Sequence, residues 1–287
     1  MKCFLCPRRC GADREAGETG RCRAPALPTV VRAARHDWEE PCISGTAGSG
    51  AVFFSGCNLG CVYCQNLEIS RSIRGKTLDA AGLRELFARL RDSGVHNLNL
   101  VTATPYARTV AEALETPPGI PVVWNSGGYE SLETLRMLEG KVDVWLPDMK
   151  YADAALAREL SDAPDYFEAA DAAIREMLRQ TGPYRLDEAG LLRRGVLVRH
   201  LVLPGHIGNS KDVLEWFAAL PKGTALFRLM AQYTPNGFGG PERRLTPEEF
   251  SEVSDYMYML GIRDGYVQEL SSAGSEYVPP FDGTGLR

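Results

Sequence analysis

Cys57, Cys61 and Cys64 stand in C-x3-C-x2-C spacing directly after the apolar, β-favouring run Ala51-Val52-Phe53-Phe54. Thiolates crowd in this way around a metal. Three of them on one short loop can hold three corners of an iron–sulfur cube while the fourth iron stays free. An iron with an open position can bind a ligand end-on and pass it one electron, chemistry that side chains alone do not supply. The other uses of such a loop are a zinc knuckle or a cluster that only carries electrons. Zinc usually takes four ligands, often from two paired C-x2-C units.

A second group of thiols precedes the first. Cys3, Cys6, Cys10 and Cys22 follow C-x2-C-x3-C-x11-C in a segment rich in Arg, Gly and Pro and poor in core residues. With little apolar surface to bury, such a segment can fold around a metal. Zinc is the first expectation there, a second iron–sulfur cluster the next, and four free or partly oxidised thiols the third. Cys42 is the one unclustered cysteine and reads as an ordinary buried thiol first, with a residue at the site as the alternative.

The rest of the composition narrows the class. The chain has 287 residues, 44% hydrophobic and 24% charged, with 32 Lys and Arg against 37 Asp and Glu. That balance lacks the basic stripe of a nucleic-acid binder. No apolar run is long enough to cross a bilayer and no signal-peptide core opens the chain, so the expected location is the cytoplasm, with no membrane partner. Seven of the eight cysteines fall in the two clusters, which in a large chain favours metal in a reducing compartment over disulfides.

Elements able to position these residues alternate along the chain. After Cys64, a helix with Leu83, Leu86, Phe87 and Leu90 on one face is expected to end at Gly94. Strands are expected at Asn97–Val101, Val122–Trp124, Val142–Pro147, Val196–Leu203, Ala225–Tyr233 and Tyr266–Leu270. Helices fall between them, around Tyr106–Leu114, Leu132–Leu138, Ala152–Gln180, Asp212–Leu220 and onward from Thr246. Alternation of this kind predicts an α/β fold: a parallel sheet with crossover helices, either doubly wound or a barrel. In both, chemistry gathers at the carboxyl ends of the strands. The Gly/Ser-rich turn Ser44–Gly50 before the first strand either borders that site or is a flexible connector.

The C-x3-C-x-aromatic-C form of the loop, with Tyr63 as the aromatic, resembles the signature of the radical S-adenosylmethionine superfamily. Cys6-Pro7-Arg8-Arg9-Cys10-Gly11, Glu39-Glu40-Pro41, Gly48-Ser49-Gly50, Phe53-Phe54-Ser55-Gly56-Cys57, Cys64-Gln65-Asn66, Asn125-Ser126-Gly127-Gly128-Tyr129 and Pro147-Asp148-Met149-Lys150-Tyr151 resemble its pyruvate formate-lyase activating enzyme-like branch. The resemblance implies a partial (β/α)6 barrel over residues 33–287, preceded by a Cys-rich metal-binding segment, 1–32. It also implies that Cys57, Cys61 and Cys64 ligate a [4Fe–4S] cluster whose open iron binds S-adenosylmethionine, with Tyr63 near the adenine. Reductive cleavage would then give a 5′-deoxyadenosyl radical that takes hydrogen from a substrate, with a glycyl-radical enzyme or other peptide among the candidates. A donor such as flavodoxin or ferredoxin would supply the electron. The alternative is a non-catalytic iron–sulfur or zinc protein for electron transfer or assembly.

The strand ends supply the remaining candidates. Where many members of the superfamily carry Gly-Gly-Glu, this chain reads Val101-Thr102-Ala103-Thr104-Pro105, so the cofactor's amino group is expected to meet hydroxyls or carbonyls of Thr102 and Thr104. Gly127-Gly128-Tyr129-Glu130, after the next strand, is the alternative contact. Asn125 and Gly127 are placed to meet a ribose or carboxylate. Asp148 and Lys150 share one strand face; Asp148 is expected to accept from the ribose or amino group and Lys150 to meet the carboxylate. Arg199 can clamp a carboxylate through two parallel bonds. His200, Gln232 and Gln268 are substrate candidates. For His200 and His206 a structural hydrogen bond is the competing role.

Overall fold

The computed structural model describes residues 2–270 and 279–286. In chain order its elements are β1 (Thr29–His36), α1 (Pro41–Ser44), β2 (Ser49–Phe54), α2 (Leu67–Ser70), β3 (Lys76–Thr77), α3 (Ala80–Asp92), β4 (Leu98–Val101), α4 (Ala107–Ala113), β5 (Val122–Ser126), α5 (Leu132–Met137) and β6 (Val144–Pro147). These are followed by α6 (Ala154–Ser161), α7 (Tyr166–Thr181), β7 (Arg185–Leu186), β8 (Leu192–Leu201), α8 (Ile207–Ala218), β9 (Ala225–Met230), α9 (Pro247–Met259) and β10 (Gly265–Val267).

The sheet runs β10-β9-β8-β6-β5-β4-β2-β1-β3. From β2 to β10 every neighbouring pair is parallel, and β1 joins β2 antiparallel. Each crossover therefore steps the same way. Right-handed crossovers that never reverse put all the intervening helices on one face, so the sheet curls toward a barrel and has no switch point of the doubly wound kind. No pairing joins β10 to β3 among the described residues, so the barrel stays partial.

Side chains sort between the two faces by strand alternation. Leu98, Leu100, Trp124, Trp145, Val196, Val198 and Phe227 pack outward with the helices, including Leu83, Leu86, Phe87 and Leu90 of α3. Val123, Val144, Leu146, Leu197 and Leu226 face the concave side, where Cys42 and Ile43 of the short helix α1 fill the space against them. Cys42 is thus part of the inner core, and burial pushes its thiol up to about 11.

Local chemistry explains most boundaries. Asp79 caps α3 by accepting from Gly82 N. Thr246 and Glu249 complete a capping box at α9, with Pro247 in its first turn. The helical interval expected over 152–180 is broken into α6 and α7 at Asp162, which takes a left-handed conformation (φ 49°), just ahead of Pro164. Proline disfavours the helical conformation of its predecessor and offers no amide hydrogen. β1 runs through the boundary expected between residues 32 and 33. The Cys-rich segment packs onto the barrel, with Cys3, Leu5, Cys22 and Ala24 in the main core. No described helix is long and apolar enough to cross a membrane.

Candidate active site

The cysteine loop leaves the carboxyl end of β2 and is tied down from several sides. Tyr106 donates to Ser55 O (2.9 Å), Asn58 Nδ2 to Tyr129 O (2.6 Å), Arg8 Nε to Asn58 O (2.9 Å) and Arg71 to Gly60 O (3.0 Å). Gly56 has φ +85°, and a Cβ there would stand 2.6 Å from Cys22 O, so this turn requires glycine. Ser161, at the end of α6, donates to Cys61 Sγ (2.9 Å), and its hydroxyl pairs with that of Tyr151 (2.7 Å). Tyr151 in turn bonds Tyr63 Oη (2.9 Å). The helix break at Asp162 ends α6 at this serine, beside the sulfur.

Opposite the loop, the tips of β5, β6 and β8 carry a charged network. Arg199 donates through Nε to Asp148 Oδ1 (2.9 Å), through Nη1 to Glu39 Oε1 (3.0 Å) and through Nη2 to Asn125 Oδ1 (2.7 Å). Lys150 Nζ lies 2.6 Å from Asp148 Oδ2. Glu39 Oε2 accepts from Asn99 (2.8 Å) and Asn125 (2.9 Å). Burial would raise the Asp148 carboxyl, but Arg199 and Lys150 outweigh it and hold the group below its ordinary value. Burial would lower Lys150, and Asp148 raises it well above its ordinary value. Two carboxylates and two basic side chains thus share one wall, and the pairing favours the charged forms of Asp148, Lys150 and Arg199.

Loop and network border one cleft of about 1200 Å³, open mouth included. Cys57, Cys61, Tyr63, Cys64, Thr102, Asn125, Gly127, Asp148, Lys150, Arg199 and Gln232 all line it. The other candidates lie elsewhere. Thr104 is buried behind the strand tips, donating to Glu130 Oε1 (2.5 Å). That bond also takes up Glu130 of the alternative contact. Burial pushes the Glu130 carboxyl up to about 7. His200 is fully buried on the outward face of β8, bonded to Met149 O (2.7 Å) and Ser210 Oγ (2.9 Å). An odd step along the strand from Arg199 turns it away from the cleft. Gln268 stands behind Gln232, donating to its Oε1 (2.9 Å) and accepting from Ala231 N. His206 sits at the amino end of α8. Arg199 is the hub of the network, with three of its five N–H groups engaged by protein acceptors.

Among the cleft residues that escaped the strand-end reasoning are His36, Trp38 and Glu39, delivered by β1 and the turn that follows it. The sequence held one signal, an acidic pair directly before Pro41. Unpaired carboxylates do not enter a core, so Glu39-Glu40 ahead of an apolar turn requires basic partners. Arg199 is the partner of Glu39 and Arg228 that of Glu40 (2.9 Å).

The cysteine loop fits an iron–sulfur cube better than a single ion. Burial pushes the Cys57 thiol up to about 12 and raises that of Cys64, with neighbouring thiols adding to both. Burial thus disfavours the thiolate at Cys57 and Cys64, a cost that a cationic metal bound there would offset. Among the described residues, no three Cys, His, Asp or Glu side chains converge as one ion requires, whereas a cube gives each thiolate its own iron. Of the second thiol group, Cys3, Cys6 and Cys22 are buried and Cys10 is exposed, all four as free thiols. The charged wall likewise suits a zwitterion with hydroxyls, as the amino, carboxylate and ribose groups of S-adenosylmethionine would present.

A partial parallel barrel with three cysteines at the tip of its first parallel strand and a paired-charge wall opposite defines a radical S-adenosylmethionine class of protein. The sequence profile of the Radical SAM superfamily matches residues 51–216, and the chain belongs to that family. It is 30% identical over 265 residues to an uncharacterized protein of Methanocaldococcus jannaschii, MJ0674, covering 88% of this chain and 72% of that one. Among solved structures, the chain matches a radical SAM methyltransferase from Sphaerobacter thermophilus (TM-score 0.56, 16% identity, 90% of this chain and 81% of that one). It also matches Streptococcus suis SuiB bound to S-adenosylmethionine (TM-score 0.53, 14% identity, 77% of this chain). The chain spans half the length of SuiB. Membership makes the protein a radical S-adenosylmethionine enzyme and implies a [4Fe–4S] cluster and S-adenosylmethionine.

Proposed function

We propose that Cys57, Cys61 and Cys64 hold the cluster and that Tyr63, Thr102, Asn125, Gly127, Asp148 and Lys150 receive S-adenosylmethionine in the cleft they share. The observation that carries the reading is the juxtaposition itself, thiols on one side of a single cleft and the Asp148–Lys150–Arg199–Glu39 network on the other. The bound cluster and cofactor would supply a 5′-deoxyadenosyl radical able to take hydrogen from an unactivated carbon, which no side-chain acid or base reaches.

The chain's own residues set the conditions. Asp148 offers carboxylate oxygens to an ammonium or to hydroxyls, and Lys150 offers N–H donors to a carboxylate. Glu39, Asn125 and Arg199 fix the Asp148 rotamer through Arg199. Phe53, Leu59, Val101, Leu201 and Met230 line the same cleft and keep water from the reacting carbon.

The substrate is proposed to be a peptide segment, glycyl-radical enzymes included, in line with the pyruvate formate-lyase activating enzyme-like strings. Support comes from the open mouth, bordered by Trp38, 64% exposed, and by the amides of Gln65 and Gln232. A low-potential donor such as flavodoxin or ferredoxin is the proposed partner. A purely electron-carrying role would leave the charged wall without a purpose.

Anaerobic reconstitution with iron and sulfide, followed by dithionite and S-adenosylmethionine, tests the reading. The parent protein is expected to release 5′-deoxyadenosine and methionine, and the Cys57→Ala/Cys61→Ala/Cys64→Ala variant to release none above a cluster-free control. A parent protein that forms no 5′-deoxyadenosine overturns the proposal.

A further inference from the structure

The amino-terminal thiols form a built site that the cleft does not use. Lys2 and Asp13 pair as a β-bridge, Cys3 N donates to Ala12 O (3.0 Å), Gly11 N to Cys3 O (3.0 Å), and Arg9 N closes a turn on Cys6 O (3.1 Å). Left-handed Arg9 and Gly11 tighten this knuckle, which carries Cys3, Cys6 and Cys10. Cys22 returns on a second turn, Arg23 N to Gly20 O (2.9 Å), and a Cβ on Gly20 would lie only 2.4 Å from Cys10 Sγ. Cys22 lies within charge-interaction range of Cys3 and Cys10, and Cys6 within range of Cys22 and Cys3. All four are free thiols, and Cys3, Cys6 and Cys22 are buried.

Two further observations indicate a ligand among them. Arg14 Nη2 donates to Cys22 Sγ (3.2 Å) and Nη1 bonds Pro105 O, yet its buried Nε has no acceptor. A buried donor left unpaired is unfavourable, so such an atom calls for an acceptor. In addition, the stretch ahead of β1 gains little from ordinary packing: Leu5, Ala12 and Ala24 are its buried apolar residues other than cysteine and proline. Thiols gathered in this way, and not converging on one ion, match a cluster in which each cysteine takes its own iron and bridging sulfides accept from nearby donors.

We propose that Cys3, Cys6, Cys10 and Cys22 ligate a second, fully coordinated [4Fe–4S] cluster, with Arg14 donating to its sulfur. Four thiolates leave no iron open, so this cluster carries electrons and binds no substrate. It adjoins the cysteine loop of the cleft. Cys22 O stands against Gly56, the residue before Cys57, and Arg8, two residues after Cys6, donates to Asn58 O and Leu59 O. When bound, the second cluster would supply a relay: an external low-potential one-electron donor would reduce it, and the electron would pass on to the first, leaving the second in its starting state with no bond or proton exchanged.

Metal content tests the site independently of S-adenosylmethionine cleavage. After anaerobic reconstitution, the Cys57→Ala/Cys61→Ala/Cys64→Ala variant should keep ~4 iron and ~4 sulfide per chain and give a paramagnetic signal on reduction, with the parent holding about twice as much. A triple variant devoid of iron and sulfide, or carrying about one zinc per chain, overturns the proposal. In the same background, Arg14→Leu leaves every thiol in place. It should retain the iron while its midpoint potential falls, because a donor to the cluster is lost. An unchanged potential removes Arg14 from the site.

Discussion

Arg199→Met probes the network that shapes the cleft. The guanidinium bonds Asp148, Glu39 and Asn125, and the three charged side chains are 12–14% exposed, so solvent screens them little. Its loss leaves Glu39 with two Asn donors and Asp148 with Lys150. Breaking a buried ion pair by removing one partner costs about 3–5 kcal/mol. Because both carboxylates keep other donors, about 3 kcal/mol is expected. At roughly 2–4 °C per kcal/mol for a large domain, the thermal midpoint of the reconstituted protein should drop by about 6–12 °C. Scans should share one heating rate, since unfolding of a cluster protein is under kinetic control. Glu39→Gln turns an amide N–H toward Arg199 Nη1, and the double variant should cost about 1–3 kcal/mol less than the sum of the singles. A midpoint within about 2 °C of the parent for Arg199→Met, or strict additivity in the cycle, would refute the account of Arg199 as the hub.

Two other perturbations read different parts of the site. Burial pushes the His200 imidazole down to about 4, with the Met149 carbonyl, Lys150 and Asp148 as smaller influences. Between that value and the ordinary 6.5 the unfolded chain binds the extra proton, so the contribution of His200 is intact above pH 6.5 and lost on acidification toward 4. Urea titrations should show the parent losing about 3 kcal/mol relative to His200→Gln between pH 7 and 4; parallel pH curves would remove the buried neutral imidazole from the argument. Thr102 sits at φ 61°, a conformation that is a true outlier for a β-branched residue. Thr102→Gly should stabilise the fold by about 1 kcal/mol while weakening S-adenosylmethionine binding, as measured by equilibrium dialysis. A destabilised variant would show that no strain is stored at this strand tip.

Much of this was legible in the sequence because it rests on local rules. The cysteine spacing, the capping box at Thr246 and the alternation of apolar runs each depend on residues a few positions apart. So does the face shared by Asp148 and Lys150, which the structure brings to the cleft. His200 shows how far the local rules reach. It adjoins Arg199, and the polar pair looked like one site, but strand alternation sends one side chain into the cleft and the other behind the sheet. Gln268 is a similar case: it lies behind Gln232 and spends its amide on that side chain and on Ala231 N.

What stayed hidden depended on pairing between distant segments. No strand was expected between residues 29 and 36, where the alternation is weak, yet β1 is completed by β2 on one side and by the carboxyl-terminal stretch on the other, where Ala33 N donates to Thr284 O and Phe53 of β2 packs on Phe281. That pairing carries Trp38 and Glu39 to the cleft. A carboxylate 160 positions from its arginine gives no periodic signal. Only the cost of burying Glu39 and Glu40 without cations foreshadowed it. The same reasoning applies to Arg14, whose orphaned Nε marks where the local rules end and a missing partner begins. If that partner is iron–sulfur, the knuckle and the barrel form one redox unit: Arg8 and Gly56 lock the two cysteine loops together in a way ordinary packing of so small a segment does not require.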